Sequence, residues 1–333
     1  MKNVSIVMVN WNGKKMLKDC LKRVFNQTYK DFDVILVDNG STDGSVDMVR
    51  QEYPTVELII NKENMGVAQA QDIGFRAAKG KYIVSLHNDT LPDKMWLERF
   101  VKTMDTGKAV CIEGDVVHFD GVGVINGSLN VLCYNTLDVF DDPKKKFYSG
   151  TCSMIMKNDL MKKYFDHEYF FYGEDVYLGW KLRLMGHNII REPSAKVMHY
   201  GTQSVMDKKT KNLFYFYNER HRLMNFLMFY EVKNIMKLLP LNCVITSMYI
   251  LKNIFTDSDR AYSQIKAVFW VVKNRKRIFK KRSEIQKLRK VSDENITPML
   301  SSRVFPGTSK ASQKLNSIAK CYCSTIGIKT AEV

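Results

Sequence analysis

Over the first two hundred positions, short apolar runs alternate with longer segments of helical periodicity. Residues 4–9 form an apolar run of strand length. Residues 14–26 follow with Met16, Leu17, Cys20, Leu21, Val24 and Phe25 at helical spacing. Residues 33–37 predict a second buried strand, closed by Asp38. Asn39-Gly40-Ser41-Thr42-Asp43-Gly44 is turn chemistry, and a helix is expected over residues 45–53. Residues 56–61 read as a third strand and residues 67–78 as a small-residue helix, with Gly80 as its C-cap. A fourth strand at 82–86 ends in His87-Asn88-Asp89, and Pro92 opens a helix through Met104.

Beyond residue 105 the pattern loosens into short strand-like pieces, a Gly-rich stretch at 121–127 and a solvated loop at 144–146. A strand is expected at 153–156 and a helix at 176–185, opening behind Glu174-Asp175 and ending at Gly186. Strand pieces at 189–190 and 196–198 bracket a turn at Pro193. Strands alternating with helices predict an α/β fold, a mostly parallel sheet with helices on both faces. Ligands of such sheets bind beyond the carboxyl ends of the strands. Asn10, Asn12, Asp38 and Asp89 all fall just past predicted strand ends.

Charge changes the picture after residue 207. Residues 1–207 carry 26 Lys/Arg against 27 Asp/Glu, whereas residues 208–333 carry 25 against 8. The whole net charge of +16 therefore sits in the last third. A near-neutral body over 1–207, a helical basic extension over 208–291 and a loosely ordered Ser/Thr/Pro-enriched tail over 292–333 are expected. Such an extension suits an anionic partner. Residues 236–255 and 261–272 are apolar with basic flanks, a pattern for helices on an anionic membrane surface. Packing of the aromatics in 213–230 on the body, or a plain solvated basic face, accounts for the same residues. No nucleic-acid module accompanies them, so nucleic acid is not an expected partner. The longest uncharged apolar stretch, residues 238–251, is too short to span a bilayer, and Pro240 interrupts its start. Seven cysteines without a CxxC pair, and no secretory signal, point to reduced thiols in the cytoplasm.

No phosphate-binding GxxxxGK[ST] or dinucleotide GxGxxG motif is present. Three acidic or amide-rich sites remain. Asp38 is suited to a base N–H or ribose hydroxyls, and Asp89 to a divalent cation that also takes diphosphate oxygens. Glu174-Asp175, at a helix N-terminus behind Tyr169-Phe170-Phe171-Tyr172-Gly173, are suited to general-base work or to a helix cap.

Seven segments in order carry a family resemblance over residues 3–202. They are Val7-Met8-Val9-Asn10-Trp11-Asn12-Gly13, Val37-Asp38-Asn39-Gly40-Ser41-Thr42-Asp43-Gly44, Asn61-Lys62-Glu63-Asn64-Met65-Gly66 and His87-Asn88-Asp89-Thr90. Ser149-Gly150, Phe171-Tyr172-Gly173-Glu174-Asp175-Val176 and His199-Tyr200-Gly201 complete the set. In these the chain resembles the family 2 inverting glycosyltransferases of GT-A fold, in their rhamnosyltransferase-like branch. The resemblance implies that Val9, Asn10, Asn12, Asp38, Asn64, Gly66 and Asn88 border the nucleotide and donor sugar. It implies that Asp89 and His199 hold Mg²⁺ or Mn²⁺, and that Asp175 is the catalytic base with Glu174 beside it. The expected donor is a nucleoside-diphosphate sugar. The expected acceptor is a glycan or polyprenyl-phosphate-linked hydroxyl in cell-envelope polysaccharide synthesis, at the inner face of the cell membrane. His87, not Asp, holds the first position of the metal motif, a position often not acidic in this branch. It leaves metal affinity and identity open, as a ligand itself or as a satisfied strand-end histidine. A catalytically silent sugar-nucleotide-binding protein on the same fold is the alternative. A nucleotidyltransferase lacks its basic Gly-rich loop here.

Overall fold

The computed structural model describes residues 2–119, 127–136, 146–164, 169, 172–201, 208–307 and 309–331. Most of the expected Gly-rich stretch, residues 144–145, Phe170, Phe171 and residues 202–207 lie outside them. Packing divides the chain into two compact units. One comprises residues 1–126, 141–178 and 188–204; the other comprises 127–140, 179–187 and 205–333.

The first unit is built on an eight-stranded sheet. Its strands are β1 (Val4–Asn10), β2 (Phe32–Asp38), β3 (Glu57–Ile60), β4 (Tyr82–Leu86), β5 (Thr90–Pro92), β6 (Cys111–His118), β9 (Ser153–Lys157) and β10 (Ile189–His199). Their order is β3-β2-β1-β4-β9-β6-β10-β5. The first four pair in parallel, as the strand–helix alternation predicts. From β4 onward the sheet is mixed: β9 runs antiparallel to both β4 and β6, and β5 antiparallel to β10. Helices α1 (Lys14–Phe25), α2 (Ser45–Glu52), α3 (Val67–Ala77), α4 (Trp96–Asp105) and α5 (Asn158–Tyr164) belong to the same unit. The core gathers Ile6, Met8, Leu17, Leu21, Leu36, Val84, Trp96, Phe100 and Ile155, all buried.

Several expectations are corrected locally. Residues 90–92 form an edge strand, so the helix opens at Trp96 rather than at Pro92. The two pieces around Pro193 are one strand, β10, whose register against β6 shifts between Glu192 and Lys196. A bulge accommodates the proline that an even ladder excludes. Gly80 is not the C-cap of α3, a position held by Ala78. A Cβ at Gly80 would meet the Ser5 backbone N at 2.7 Å, so close approach to β1 requires the glycine there. Gly74 serves likewise inside α3, where a Cβ would lie 2.4 Å from Val7 Cγ1.

The second unit is helical. It holds α7 (Lys208–Phe229), α8 (Val232–Thr256), α9 (Ser258–Lys273), α10 (Arg275–Gln286), α11 (Asp293–Ile296) and α12 (Lys310–Thr325), with the short pair β7 (Ser128–Leu129) and β8 (Asn135–Thr136). After Ser292 the described residues include the helices α11 and α12. Ala319 and Cys323 of α12 are buried, and Ser301 bridges both Asn130 and Ala331. Pro240 does not interrupt α8, which runs 25 residues. By length and composition alone α8 is apolar enough to cross a membrane, in contrast to the shorter stretch read from sequence.

Polar groups organise this helical unit. Arg222 and Glu219 are both buried and pair at 2.6 Å. Arg222 also donates to Leu132 O, Asn242 Oδ1 and Thr246 Oγ1, and lies 4.0 Å from the Tyr134 ring centroid. The last carbonyls of α7 are met by Arg282, which donates to Leu227 O and Tyr230 O, and by Gln286, which donates to Met228 O and Phe229 O. Removing one member of a buried pair strands the other's charge, at about 3–5 kcal/mol. Arg222→Leu is therefore expected to lower stability by about that amount, with Glu219→Leu added in cis restoring part of it. Urea unfolding of the two variants checks this, and equal loss in single and double variants would refute the stranded-charge account.

Candidate functional site

The carboxyl end of the parallel strands carries a network centred on Asn10. Asn10 is fully buried and its amide donates to Asp38 Oδ2 at 3.0 Å, Ser41 Oγ at 3.1 Å and Ser45 Oγ at 2.9 Å. Its carbonyl accepts from Asn88 Nδ2 at 2.7 Å. Asp38 is itself buried, and its second oxygen accepts from the Ser41 N–H at 2.8 Å. Asn12 holds the same turn, accepting from the Thr42 N–H at 2.8 Å while its own N–H reaches Ser41 Oγ. Asn12 has φ of 50°, a region that asparagine tolerates better than most side chains. Val9, half-buried, precedes this group on β1.

Asn64 and Gly66 join through a residue that sequence reading left unassigned. Asn39 donates to Asn64 Oδ1 at 2.8 Å and to Gly66 O at 3.4 Å. Its own carbonyl oxygen accepts from Asn61 and from the Met65 N–H. The signal was its place beside Asp38 at the end of β2, where a buried amide must find partners.

Past β4 lies a second group. Asp89 Oδ2 is 3.3 Å from His199 Nε2, and Asp89 Oδ1 is 4.0 Å from His87 Nδ1. Burial alone would raise the Asp89 pKa, but the His199 hydrogen bond and the neighbouring rings hold it below the ordinary carboxylate range. Asp89 Oδ1 is shielded from solvent and has no hydrogen-bond partner. An ionised oxygen in that condition is expensive unless something positive meets it. The pair thus fits a divalent cation. Cys152 offers its sulfur here as well: ligand atoms of His87, Cys152 and His199 lie within 4.8 Å of one another.

The third group opens α6 (Glu174–Leu184). Gly173 and Tyr172 have φ of 91° and 61°, so the chain turns sharply into the helix. Glu174 is buried with Oε2 unpartnered, whereas Asp175 is half-buried and accepts from the Val176 N–H at 2.7 Å. Burial, and then the neighbouring Asp175, push Glu174 above the ordinary carboxylate range. Burial also raises Asp175, against the Val176 N–H, with Glu113 adding to the rise. Glu113, unassigned from sequence, and Lys146, expected there in a solvated loop, form a buried ion pair at 2.8 Å, and Glu113 Oε1 accepts from the Gly150 N–H at 2.7 Å. Neither follows a strand end or belongs to a motif, so only tertiary packing brings them to Asp175.

The segment 149–153 links the last two groups. Thr151 Oγ1 lies 3.4 Å from His87 Nε2, and a Thr151 hydrogen bond tempers the rise at Glu174. The Ser85 hydroxyl anchors the segment by donating to Thr151 O at 2.7 Å.

The chain is similar to several known proteins. Residues 5–164 match the family model described as Glycosyl transferase family 2. Glycosyltransferase AglE of Haloferax volcanii is 27% identical over 164 residues, 48% of this chain and 54% of that protein. The chain thus spans about half the length of that relative. Among solved structures, S. aureus TarS 1-349 in complex with UDP-GlcNAc is similar at a TM-score of 0.56, with 14% identity over 98% of this chain and 89% of that one. The mannosyltransferase PcManGT from Pyrobaculum calidifontis, in complex with GDP-Man and Mn²⁺, reaches 0.53, with 15% identity over 98% and 86%. The mixed sheet with its flanking helices is the GT-A fold of those structures. Over residues 5–164 the chain is similar to the family 2 glycosyltransferases.

Proposed function

We propose that this chain is an inverting glycosyltransferase that moves a sugar from a nucleoside-diphosphate sugar to a hydroxyl of a glycan or lipid-linked acceptor. The observation that carries the reading is the half-buried Asp175 carboxylate at the N-terminus of α6, raised in pKa and backed by the buried Glu174. A base must be reachable and must be basic enough to take a hydroxyl proton. Asp175 meets both conditions. Glu174 is more enclosed, and the carboxylate that adds to the rise at Asp175 is Glu113.

The amide network around Asn10, Asp38 and Asn39 presets the loops at the ends of β1 and β2. In this reading Asp38, Asn12, Asn64, Gly66 and Asn88 border the base, ribose and donor sugar. Asp38 already spends two oxygen contacts inside the protein, yet a carboxylate accepts up to about four. Asp89 and His199 would hold a divalent cation, Mg²⁺ or Mn²⁺. Such an ion supplies positive charge to the diphosphate as it leaves. Asp175 takes the acceptor proton while the hydroxyl attacks the anomeric carbon from the opposite face. One displacement inverts that carbon, and no side-chain nucleophile is required. The Mn²⁺ in the PcManGT complex and the nucleotide sugars in both neighbours support this assignment by analogy of fold.

We further propose that the second unit rests on an anionic membrane, at the cytoplasmic face where envelope polysaccharide precursors would be assembled. Tyr262, Ile265, Phe269 and Val272 are all exposed and lie along one stripe of α9. Lys266, Lys273, Arg275, Lys276, Arg277 and Lys280 flank them, also exposed. Apolar anchors ringed by cations suit the interface of acidic lipids.

Three outcomes follow. A panel of nucleoside-diphosphate sugars, each with Mg²⁺, Mn²⁺ or EDTA, is expected to give metal-dependent nucleotide release from one donor. Asp89→Ala should reduce that release about 10²-fold or more, and undiminished turnover would remove Asp89 from the metal site. Binding of a donor without release, even with membrane lipid extract added, would instead favour the silent-protein alternative. The rate should rise with pH through the raised Asp175 pKa, because the base works only when deprotonated. Asp175→Asn should cost about 10²–10⁴-fold and erase that limb of the pH profile. For the membrane contact, co-sedimentation with phosphatidylglycerol vesicles should weaken with added salt and with Phe269→Glu. Equal sedimentation with neutral vesicles would count against it.

A further inference from the structure

The donor set beside Asp89 is richer than a hard cation needs. Magnesium and manganese favour carboxylate, carbonyl and water oxygens, whereas imidazole and thiolate together select zinc-class ions. Here two imidazoles and a thiol surround one carboxylate.

The backbone sets this up. β4 and β9 pair antiparallel with Leu86 opposite Ser153, and one step further the His87 N–H donates to Cys152 O at 3.1 Å. His87 and Cys152 are therefore cross-strand neighbours, and residues directly opposite share a face. His199 ends β10 opposite Thr90, one residue from Asp89. Three strand ends thus deliver His87, Cys152 and His199 to one place, each half-buried and reachable. Asp89 Oδ1 is there without a hydrogen-bond partner, an independent sign that a cation belongs beside it.

We propose that His87, Cys152 and His199 form a tetrahedral site for a zinc-class divalent ion, with Asp89 beside it and the fourth position open. This inference rests on the reading of Asp89 and His199 as the metal-holding residues, and it assigns that site a different metal preference. The ligand atoms of His87, Cys152 and His199, now within 4.8 Å of one another, would close to about 3.3–3.8 Å around zinc. That is an inward movement of about 1 Å by side chains at strand ends. His199 Nδ1 now accepts the Gly201 N–H at 3.1 Å, so binding through Nε2 requires the ring proton to move to Nδ1 and that bond to be given up. Cys152 binds as thiolate: the S–H bond breaks, its proton goes to solvent, and the sulfur's electron pair forms the metal bond.

The test uses Co²⁺ as a spectroscopic probe and Zn²⁺ as competitor on the full chain, in a background with the exposed Cys243 and Cys321 replaced by Ser. Cobalt is expected to give visible ligand-field bands and a near-ultraviolet thiolate-to-cobalt charge-transfer band, both removed by Zn²⁺ and not by excess Mg²⁺. Cys152→Ser should abolish the charge-transfer band. His87→Gln should keep that band but weaken Zn²⁺ binding, by at least the about 10–100-fold that outer partners already control. Should the variants fold poorly, the unsubstituted chain serves: Zn²⁺ is expected to slow alkylation of Cys152, read by peptide mass spectrometry, and to leave Cys243 reactive. A cobalt spectrum without a thiolate band, or Cys152 alkylation untouched by Zn²⁺, overturns the proposal. Metal-dependent nucleotide release together with either of those results would leave the transferase reading standing while this one fails. A thiolate band without release from any donor would do the reverse.

Discussion

Asn10 sits fully buried at the end of β1, and a buried amide must have all its polar atoms met or forfeit a few kcal/mol. Its partners are Asp38 at the end of β2, Ser41 in the following turn, Ser45 at the start of α2 and Asn88 after β4. One side chain thereby fixes the ends of three adjacent parallel strands relative to each other. The loops carrying Asn12, Asn64 and Asn88 inherit their placement from it, Asn64 through Asn39, whose N–H donates to Asn10 O at 2.7 Å. Everything proposed for donor binding stands on this preset surface.

The opposite side of the site depends on a different economy, that of carboxylates withheld from water. Glu174 and Asp175 share the first turn of α6, where backbone N–H groups ease their charge, yet burial outweighs that help. The result is a carboxylate more basic than one on the surface. The Glu113–Lys146 pair sets the local field, since Glu113 raises Asp175 and Lys146 lowers it. Asp89 follows the contrary course: two histidines hold its pKa down and keep it ionised. Neighbouring carboxylates are thus driven apart in basicity by their surroundings, the condition under which one can take a proton while another holds a cation.

The helical unit obeys the same rule of satisfied burial with larger side chains. Arg222 is surrounded by Glu219, Asn242, Thr246, the Leu132 carbonyl and the Tyr134 ring. Arg282 and Gln286 meet the terminal carbonyls of α7, which its own helix leaves without partners. The basic excess read from composition is therefore not one population. Arg222 and Arg282 are spent inside, while the lysines and arginines around the α9 stripe stay in solvent.

The alternation of strands and helices, and the polar residues just past the strand ends, were legible in the sequence, because each rests on local periodicity or on a stretch only a few residues long. Gly186 is an example: it ends α6 with φ of 80°, as a glycine behind a helical pattern should. What local pattern could not convey was pairing between distant segments. β9 inserts antiparallel between β4 and β6, which makes Cys152 a neighbour of His87 across 65 positions of chain and brings Glu113 and Lys146 toward Asp175. Pro193 and Pro240 read as breaks in sequence, yet a bulge and the packing of a long helix absorbed them. Nearest-neighbour chemistry is written along the chain, whereas the company a buried cysteine or carboxylate keeps is set by strand register, which only the folded sheet decides.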